Sequence, residues 1–284
     1  MANTISTKTY RDKYRMATLE KQLRQALICE KICDVDRSNA KTIQNPYGSQ
    51  PTVTVQALAG TYSVADMTTT DDTLTVNNEF IVAEHIKDFE SLLSNFDLFA
   101  DRTEEMNYAV AKQIDRFVLN NLTEDATGSY TTPAGGFTTA SNVNTIFANL
   151  ISQVAGYTDA YKGLFLVLEN TDVPGLIQAG AASGFSFADA VLNNGLMSSY
   201  MGVDVYVTRS STFADETLGT TTYTNSGHRV FGVKGVATYA APRGIQVDEK
   251  SVTLKTGKEV VVWGYIGFKL WATKTALIID ITLA

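Results

Sequence analysis

The sequence predicts an α+β protein in which one long helix ties together two sheets. Three features support this class. Helical periodicity is strongest over Asp101–Leu122, helix and strand patterns alternate from Asn142 onward, and strand-like runs fill the last quarter of the chain. The 284 residues, 44% of them hydrophobic and only 19% charged, are enough to bury a substantial core.

The N-terminal arm, residues 1–41, carries nine Lys or Arg against five Asp or Glu, a local charge of +4 that leaves −11 for the remaining chain. Apolar residues recur at helical spacing, which predicts an amphipathic helix over Thr9–Cys33. Turn-forming residues between Asp34 and Pro51, among them Asn45-Pro46, break this pattern.

A long β-hairpin is predicted over residues 52–86. Thr52–Val55 and Thr73–Val76 alternate polar and apolar residues as strands do, and the Thr- and Asp-rich segment Asp66–Asp72 is predicted to form the tip. No Lys or Arg occurs between Thr42 and Ile86. A two-stranded arm is marginally stable alone, so it should rest either on its own domain, which composition slightly favours, or on another subunit attracted by opposite charge.

A short helical piece is predicted over Phe89–Phe99, followed by the long helix over Asp101–Leu122. Its apolar stripe, at steps of three and four, is predicted to be core packing and not a cofactor-binding face. The stripe includes Met106, Val110, Ile114 and Phe117.

The remaining elements follow from periodicity and turn signals. Helices are predicted over Val143–Val154, Asp172–Ala182 and Phe185–Leu192. Strands are predicted over Gly163–Leu168, Val203–Val207, Val230–Tyr239, Ile245–Leu254, Val260–Thr273 and Ala276–Ile281.

Motifs for catalysis, metals or cofactors are weak. Cys29 and Cys33 lack further zinc ligands at suitable spacing, and His85 and His228 are far apart in sequence. The segment Thr256–Glu259 resembles the end of a phosphate loop but lacks its upstream glycine. No metal, cofactor or catalytic residue is predicted, although a pair of carboxylates would leave no sequence signature. Neither a signal-peptide core nor a membrane-spanning apolar run is present in the sequence.

The order of these parts resembles the major capsid proteins of tailed bacteriophages, which share the HK97-type capsid fold. No single motif carries this likeness, which extends over nearly the whole chain. The stretches that carry it are Thr73–Val76, His85–Asp88, Tyr108–Arg116, Leu166–Leu168, Gly202–Thr208, Trp263–Trp271 and Ala276–Ile279.

The resemblance implies four parts: an N-terminal arm, an extended β-hairpin loop, a peripheral domain with a long spine helix, and an axial α/β domain. Their ranges would be 1–41 for the arm, 42–87 for the loop, 88–139 with 243–274 for the peripheral domain, and 140–242 with 275–284 for the axial domain. Subunits would form hexamers and pentamers and close into an icosahedral head shell around double-stranded DNA, without sequence-specific binding. Assembly would take place in the bacterial cytoplasm and the product would be the virion capsid, with no membrane partner.

In this family the extended loop lies over a neighbouring subunit and the arm clamps others. The resemblance therefore implies two sets of interface residues. They are Asp66, Met67, Asp71 and Asp72 at the loop tip, and Lys8, Arg11, Lys13, Arg15, Lys21 and Arg24 in the arm.

Two departures from the family pattern modify the expectation. The loop has no lysine, so the covalent cross-link of some members is not expected. The short arm predicts a separate scaffolding protein, besides the portal, as a partner, or else a chain that is already mature; the first is favoured.

Three other functions remain compatible with the sequence alone. A bacterial encapsulin-type nanocompartment shell shares the fold and a similar length. An intracellular carboxylate-based hydrolase would need a compact hairpin. A secreted Thr-rich adhesin would need a signal peptide.

Overall fold

The computed structural model describes residues 27–55, 58, 60, 64, 66–87, 98–157, 163–182, 196–209, 212–218, 221–251 and 256–284. The α-helices in these ranges are α1 (Cys29–Ile32), α2 (Leu98–Glu124), α3 (Ala140–Val154) and α4 (Val173–Ala182). Two short 3-10 helices span Gly136–Thr138 and Ala272–Leu277. The strands are β1 (Asp34–Asp36), β2 (Thr42–Gly48), β3 (Thr69–Thr75), β4 (Asn78–Ile86), β5 (Gly128–Thr131), β6 (Leu164–Glu169), β7 (Leu196–Tyr200), β8 (Val203–Thr208), β9 (Asp215–Leu218), β10 (Thr221–Thr224), β11 (His228–Val233), β12 (Ala237–Ala240), β13 (Gln246–Ser251), β14 (Lys258–Leu270) and β15 (Ile278–Thr282).

A five-stranded sheet is built around β14, the longest described strand. β14 pairs antiparallel with β4 on one side and with β13 and β12 along its length, and β1 joins β12 in parallel. Helix α2 packs on this sheet: Phe80 meets Phe117 edge-on at 5.5 Å between ring centroids, and Arg102 forms an ion pair with Glu84. The stripe predicted from periodicity therefore faces strands β4 and β14.

A six-stranded mixed sheet has the order β5-β15-β11-β6-β8-β7. Helix α3 reaches its β7 edge, where Phe147 and Tyr200 stack edge-on at 4.9 Å and the Tyr200 hydroxyl donates a hydrogen bond to Asn144. The central strand β6 is almost completely buried, which explains its continuous apolar run in the sequence.

Helix α2 also contacts the six-stranded sheet, through β11 and β15, so the predicted connection of two sheets by one helix is present. The chain crosses between the sheets at the turn 234–236. The single strand predicted over Val230–Tyr239 is therefore wrong: it is split into β11 and β12. Gly235 makes this turn with φ of 74°, a left-handed conformation that glycine adopts without strain.

The hairpin is also built differently from the prediction. Its strands are β2 and β3, paired antiparallel from Thr42↔Thr75 to Gly48↔Thr69, while Thr52–Val55 forms no strand. Pro46 lies inside β2, where the sequence predicted a break. In a two-stranded ladder β2 has an open edge, and a proline is tolerated on an edge strand because a missing N–H costs nothing where no partner strand follows.

Helix α2 begins at Leu98 and ends at Glu124, a few residues beyond the predicted limits on each side. The described part of the predicted Thr9–Cys33 helix is the single turn α1. Most of that predicted helix, most of Phe89–Phe99 and all of Phe185–Leu192 lie outside the described residues. No helix within the described ranges is both long enough and apolar enough to cross a membrane.

Candidate subunit interface

The segment between the hairpin strands, residues 49–68, is called the excursion here. Five of its described side chains are apolar and between 72% and 102% exposed. They are Val53, Val55, Leu58, Val64 and Met67. Single exposed apolar residues are ordinary, but five within one segment are typical of a surface that another molecule covers.

The structure separates the four residues predicted at the tip. Asp66 and Met67 belong to the excursion and are exposed. Asp71 and Asp72 do not lie at the tip: both are inside β3, in the middle of the ladder with β2. The Thr- and Asp-rich composition suggested a turn, but pairing with β2 places these residues in a ladder.

Asp72 bonds to its own chain. Its Oδ2 accepts the N–H of Ala272 at 2.7 Å, and its Oδ1 lies 3.1 Å from Lys269 Nζ. Burial acts to raise the pKa of Asp72, but these two donors outweigh it and hold the pKa below its usual range. Asp71, on the opposite face of the strand, is exposed.

A second exposed apolar surface covers the face of the five-stranded sheet opposite α2. Ile81 of β4 pairs with Trp263 of β14, and Tyr265 follows two residues later on the same face. Trp263 and Tyr265 stack edge-on at 5.1 Å, and Trp263 Nε1 donates to Asp248 at 2.7 Å. Ile81 and Tyr265 are among the exposed large hydrophobic residues of the described chain.

A cleft of about 670 Å³ lies between α1, α2 and the loop that follows β12. Ala111, Ile114 and Tyr239 contribute to its walls, while Arg37 and Arg243 lie along its lining. Arg243 has φ of 63°, a left-handed conformation that turns ordinarily reserve for Gly or Asn. The cleft therefore combines apolar walls with charges of both signs, since Glu30 also lines it and pairs with Arg37 at 3.3 Å.

The start of the described chain is held by a buried carboxylate on α2. Asp115 Oδ1 accepts the N–H groups of Ile28 at 2.8 Å and Cys29 at 2.7 Å. Its Oδ2 is buried and has no hydrogen-bond partner among the described residues. Burial raises the pKa of Asp115, against the opposing effect of the two N–H donors. The six predicted arm cations, Lys8 to Arg24, lie outside the described residues.

The four stripe residues of α2 are buried, each at 5% exposure or less: Met106, Val110, Ile114 and Phe117. The two histidines lie in different sheets. His85 is exposed on β4, and His228 Nδ1 lies 2.8 Å from Asp280. Within the described ranges, no three His, Cys, Asp or Glu side chains cluster as a metal site would require.

The strongest buried ionic group stabilises the six-stranded sheet. Arg229 Nε donates to Asp172 at 2.6 Å and Arg229 Nη2 to Glu169 at 3.2 Å, and all three residues are at most 8% exposed. Every charge in this group faces a partner. It is therefore explained by packing between β6, β11 and the start of α4.

The surface positions of Trp263, Tyr265 and Arg243 were not predicted from the sequence, although the first two lie in the stretch Trp263–Trp271 that carries the resemblance. The first two had a visible signal, because aromatic residues two positions apart in a strand share a face. Arg243 had none, since its backbone conformation follows from the surrounding loop.

Comparisons with solved structures place this fold among phage capsids. The chain is similar to the capsid structure of cyanophage P-SCSP1u, with a TM-score of 0.76, 14% identity, and coverage of 100% of this chain and 97% of that one. The capsid of Myoviridae phage XM1 gives a TM-score of 0.70 at 14% identity, covering 100% and 99%. The mature capsid of bacteriophage PhiM1 gives 0.71 at 9% identity, covering 97% and 92%.

No family model matches the chain, and no curated protein matches it. The similarity therefore lies in the fold and extends over the full length of the capsid chains. It confirms the predicted mixed helix-and-sheet class and the resemblance to tailed-phage capsid proteins at the level of fold.

Proposed function

We propose that this chain is a major capsid protein: a structural subunit that self-assembles through hexamers and pentamers into the icosahedral head shell of a tailed phage. One observation carries the proposal beyond the fold. The excursion presents five exposed apolar side chains that its own subunit leaves uncovered. A second copy would bury them.

The exposed face of the five-stranded sheet is the proposed receiving surface. It offers Ile81, Trp263 and Tyr265, and aromatic side chains supply large contact areas in interfaces. An apolar segment on one copy and an apolar face on another allow head-to-tail contacts, and such contacts close into rings when the rotation between copies permits. Rings of five and six subunits are the capsomers that the proposal requires.

The four-part organisation predicted from the resemblance is part of this proposal. Its bounds would shift from the predicted ranges. The peripheral domain would take α2 with the five-stranded sheet, which includes β1, β4 and β12 from the predicted arm, loop and axial ranges. The axial domain would take the six-stranded sheet, which includes β5 from the predicted peripheral range, with α3 and α4. The cation-rich arm would then contact acidic surfaces of neighbours, since the chain beyond residue 41 has a net charge of −11.

The charge balance supports a container that does not hold its contents tightly. Phosphate binding depends on Lys and Arg, and the acidic body offers little of it for packaged double-stranded DNA. A scaffolding protein and a portal are the proposed further partners. The proposed location is the virion, after assembly in the bacterial cytoplasm.

Electron microscopy of the purified chain, alone and co-expressed with a candidate scaffolding protein, tests the function. Closed shells with pentameric and hexameric capsomers are expected. Compact monomers under every assembly condition would contradict a shell role. Closed shells that form without scaffold and retain a protein cargo would instead favour a nanocompartment.

A further inference from the structure

The root of the hairpin contacts the body through one face of β3. Asp72, Leu74 and Val76 alternate along this face, while Asp71, on the opposite face, is exposed. Leu74 is fully buried, in a small cluster separate from the main core. The other members of that cluster are Ala240, Trp271, Ile43 and Val76.

The hairpin root packs against Gly267 of β14. A Cβ at Gly267 would lie 2.8 Å from the carbonyl oxygen of Thr75 and 2.9 Å from Leu74 Cδ2, closer than atoms normally approach. The backbone of the hairpin therefore rests directly on the sheet. This apolar contact holds the hairpin on the sheet. Because it is small, it does not by itself fix the angle between the hairpin and the sheet.

The second contact is polar and lies two residues further toward the excursion. Asp72 bonds to Lys269 Nζ and to the N–H of Ala272, on the segment that leaves β14. Residues 69–71, beyond Asp72, are exposed. The contacts of Leu74 and Asp72 lie about 7 Å apart along the strand. Together they fix the angle between the hairpin and the body, whereas either contact alone would leave that angle free.

We propose that Asp72 is a positioning residue: it fixes the angle at which the excursion leaves the body and so aims it at a second copy. The inference rests on the proposed function for its purpose, but the angle is a property of the single subunit. Without the Asp72 contacts the hairpin pivots about Leu74, and the excursion, at the far end of the ladder, moves furthest.

The test measures the distance between spin labels in the unassembled subunit. The labels are attached to Val55→Cys in the excursion and Val247→Cys on β13, both of which are exposed. Cys29 and Cys33 are buried, and burial raises the pKa of both thiols, so the native cysteines label slowly. The comparison is Asp72→Ala against the matched control Asp71→Ala, its neighbour on the exposed face.

One narrow distance peak is expected for the parent and for Asp71→Ala, and a shifted or broadened peak for Asp72→Ala. Lys269→Met removes the ionic contact from the other side and should shift or broaden the peak too. This second variant keeps the test valid if Asp72→Ala does not fold. High salt should broaden the parent's peak because Lys269 is partly exposed. An Asp72→Ala peak that matches the parent's overturns the proposal.

Shell formation is scored separately. If the parent forms no shells, the proposed function fails while the label distances still test the angle. If the parent forms shells and Asp72→Ala shows a shifted peak, at least a several-fold loss of closed shells is expected. Normal shell yield from that variant would refute the aiming role.

Discussion

The carboxylate of Asp115, in the second half of helix α2, accepts the backbone N–H of Cys29 at 2.7 Å, at the first turn of α1. This contact attaches the start of the described chain to the longest helix of the fold. It also places a carboxylate with one unpartnered oxygen inside the core.

Asp115→Ala should lower the free energy of unfolding by about 2 kcal/mol, because it leaves the N–H groups of Ile28 and Cys29 buried without an acceptor. Chemical denaturation measures this loss. Glu124→Ala, at the exposed end of the same helix, is the control and should change it by less than about 0.5 kcal/mol. Equal losses in the two variants would argue against the contact.

Asp115 also predicts a pH dependence. Its folded pKa is raised above the unfolded value near 3.9, so its stabilising contribution is complete below that value and is lost as pH rises through the folded pKa. Asp115→Asn does not titrate. The parent should therefore lose stability relative to Asp115→Asn as pH increases from about 4 toward neutrality, and a constant difference would contradict the raised pKa.

Removing the charge of Arg229 should be severe. Arg229→Met leaves Glu169 and Asp172 buried without their cation, and breaking a buried ion pair typically costs about 3–5 kcal/mol. The control is Arg37→Met, whose pair with Glu30 is exposed and should contribute less than about 1 kcal/mol. Thermal and denaturant unfolding of both variants check the contrast.

The exposed apolar residues of the excursion should matter for assembly and not for folding. Val53→Ser, Val55→Ser and Val64→Ser together should leave the unfolding free energy of the subunit within about 0.5 kcal/mol of the parent. Closed shells, counted by electron microscopy, should disappear. The matched control, Thr52→Ser with Thr54→Ser, alters exposed polar neighbours and should assemble normally.

Arg243→Gly should stabilise the subunit. Arg243 holds φ of 63°, which costs about 1 kcal/mol or more for a residue with a Cβ and nothing for glycine. Arg243→Lys keeps the strain and should leave the unfolding midpoint unchanged. An unfolding midpoint of Arg243→Gly that matches the parent's would contradict the strain.

The elements that the sequence predicted best are those whose periodicity reports burial directly. The apolar stripe from Met106 to Phe117 determines which face of the helix is buried, because that face must pack against the core. The buried run of β6 is equally plain. In both cases the pattern and the tertiary environment agree.

In the hairpin, the strand pattern reflects only neighbouring residues, whereas the observed strands depend on pairing with residues far away in the sequence. Thr52–Val55 alternates like a strand, yet β3 pairs with β2, where Pro46 had suggested a break. Periodicity cannot choose between two candidate partners for one strand. The exposed excursion, by contrast, was predictable only as a segment lacking cations, because exposure of its apolar side chains depends on what its own subunit leaves uncovered.

The position of β14 in the chain has a consequence for biosynthesis. This strand pairs with β4, which the ribosome produces far earlier, and with β12 and β13, which immediately precede it. The five-stranded sheet therefore cannot close until β14 is translated, and contacts between distant residues form slowly. Until then β4 and the hairpin root lack the strand on which they pack, and their apolar residues and strand edges stay exposed. Such intermediates aggregate readily, so chaperone binding at this stage would raise the yield of native subunits.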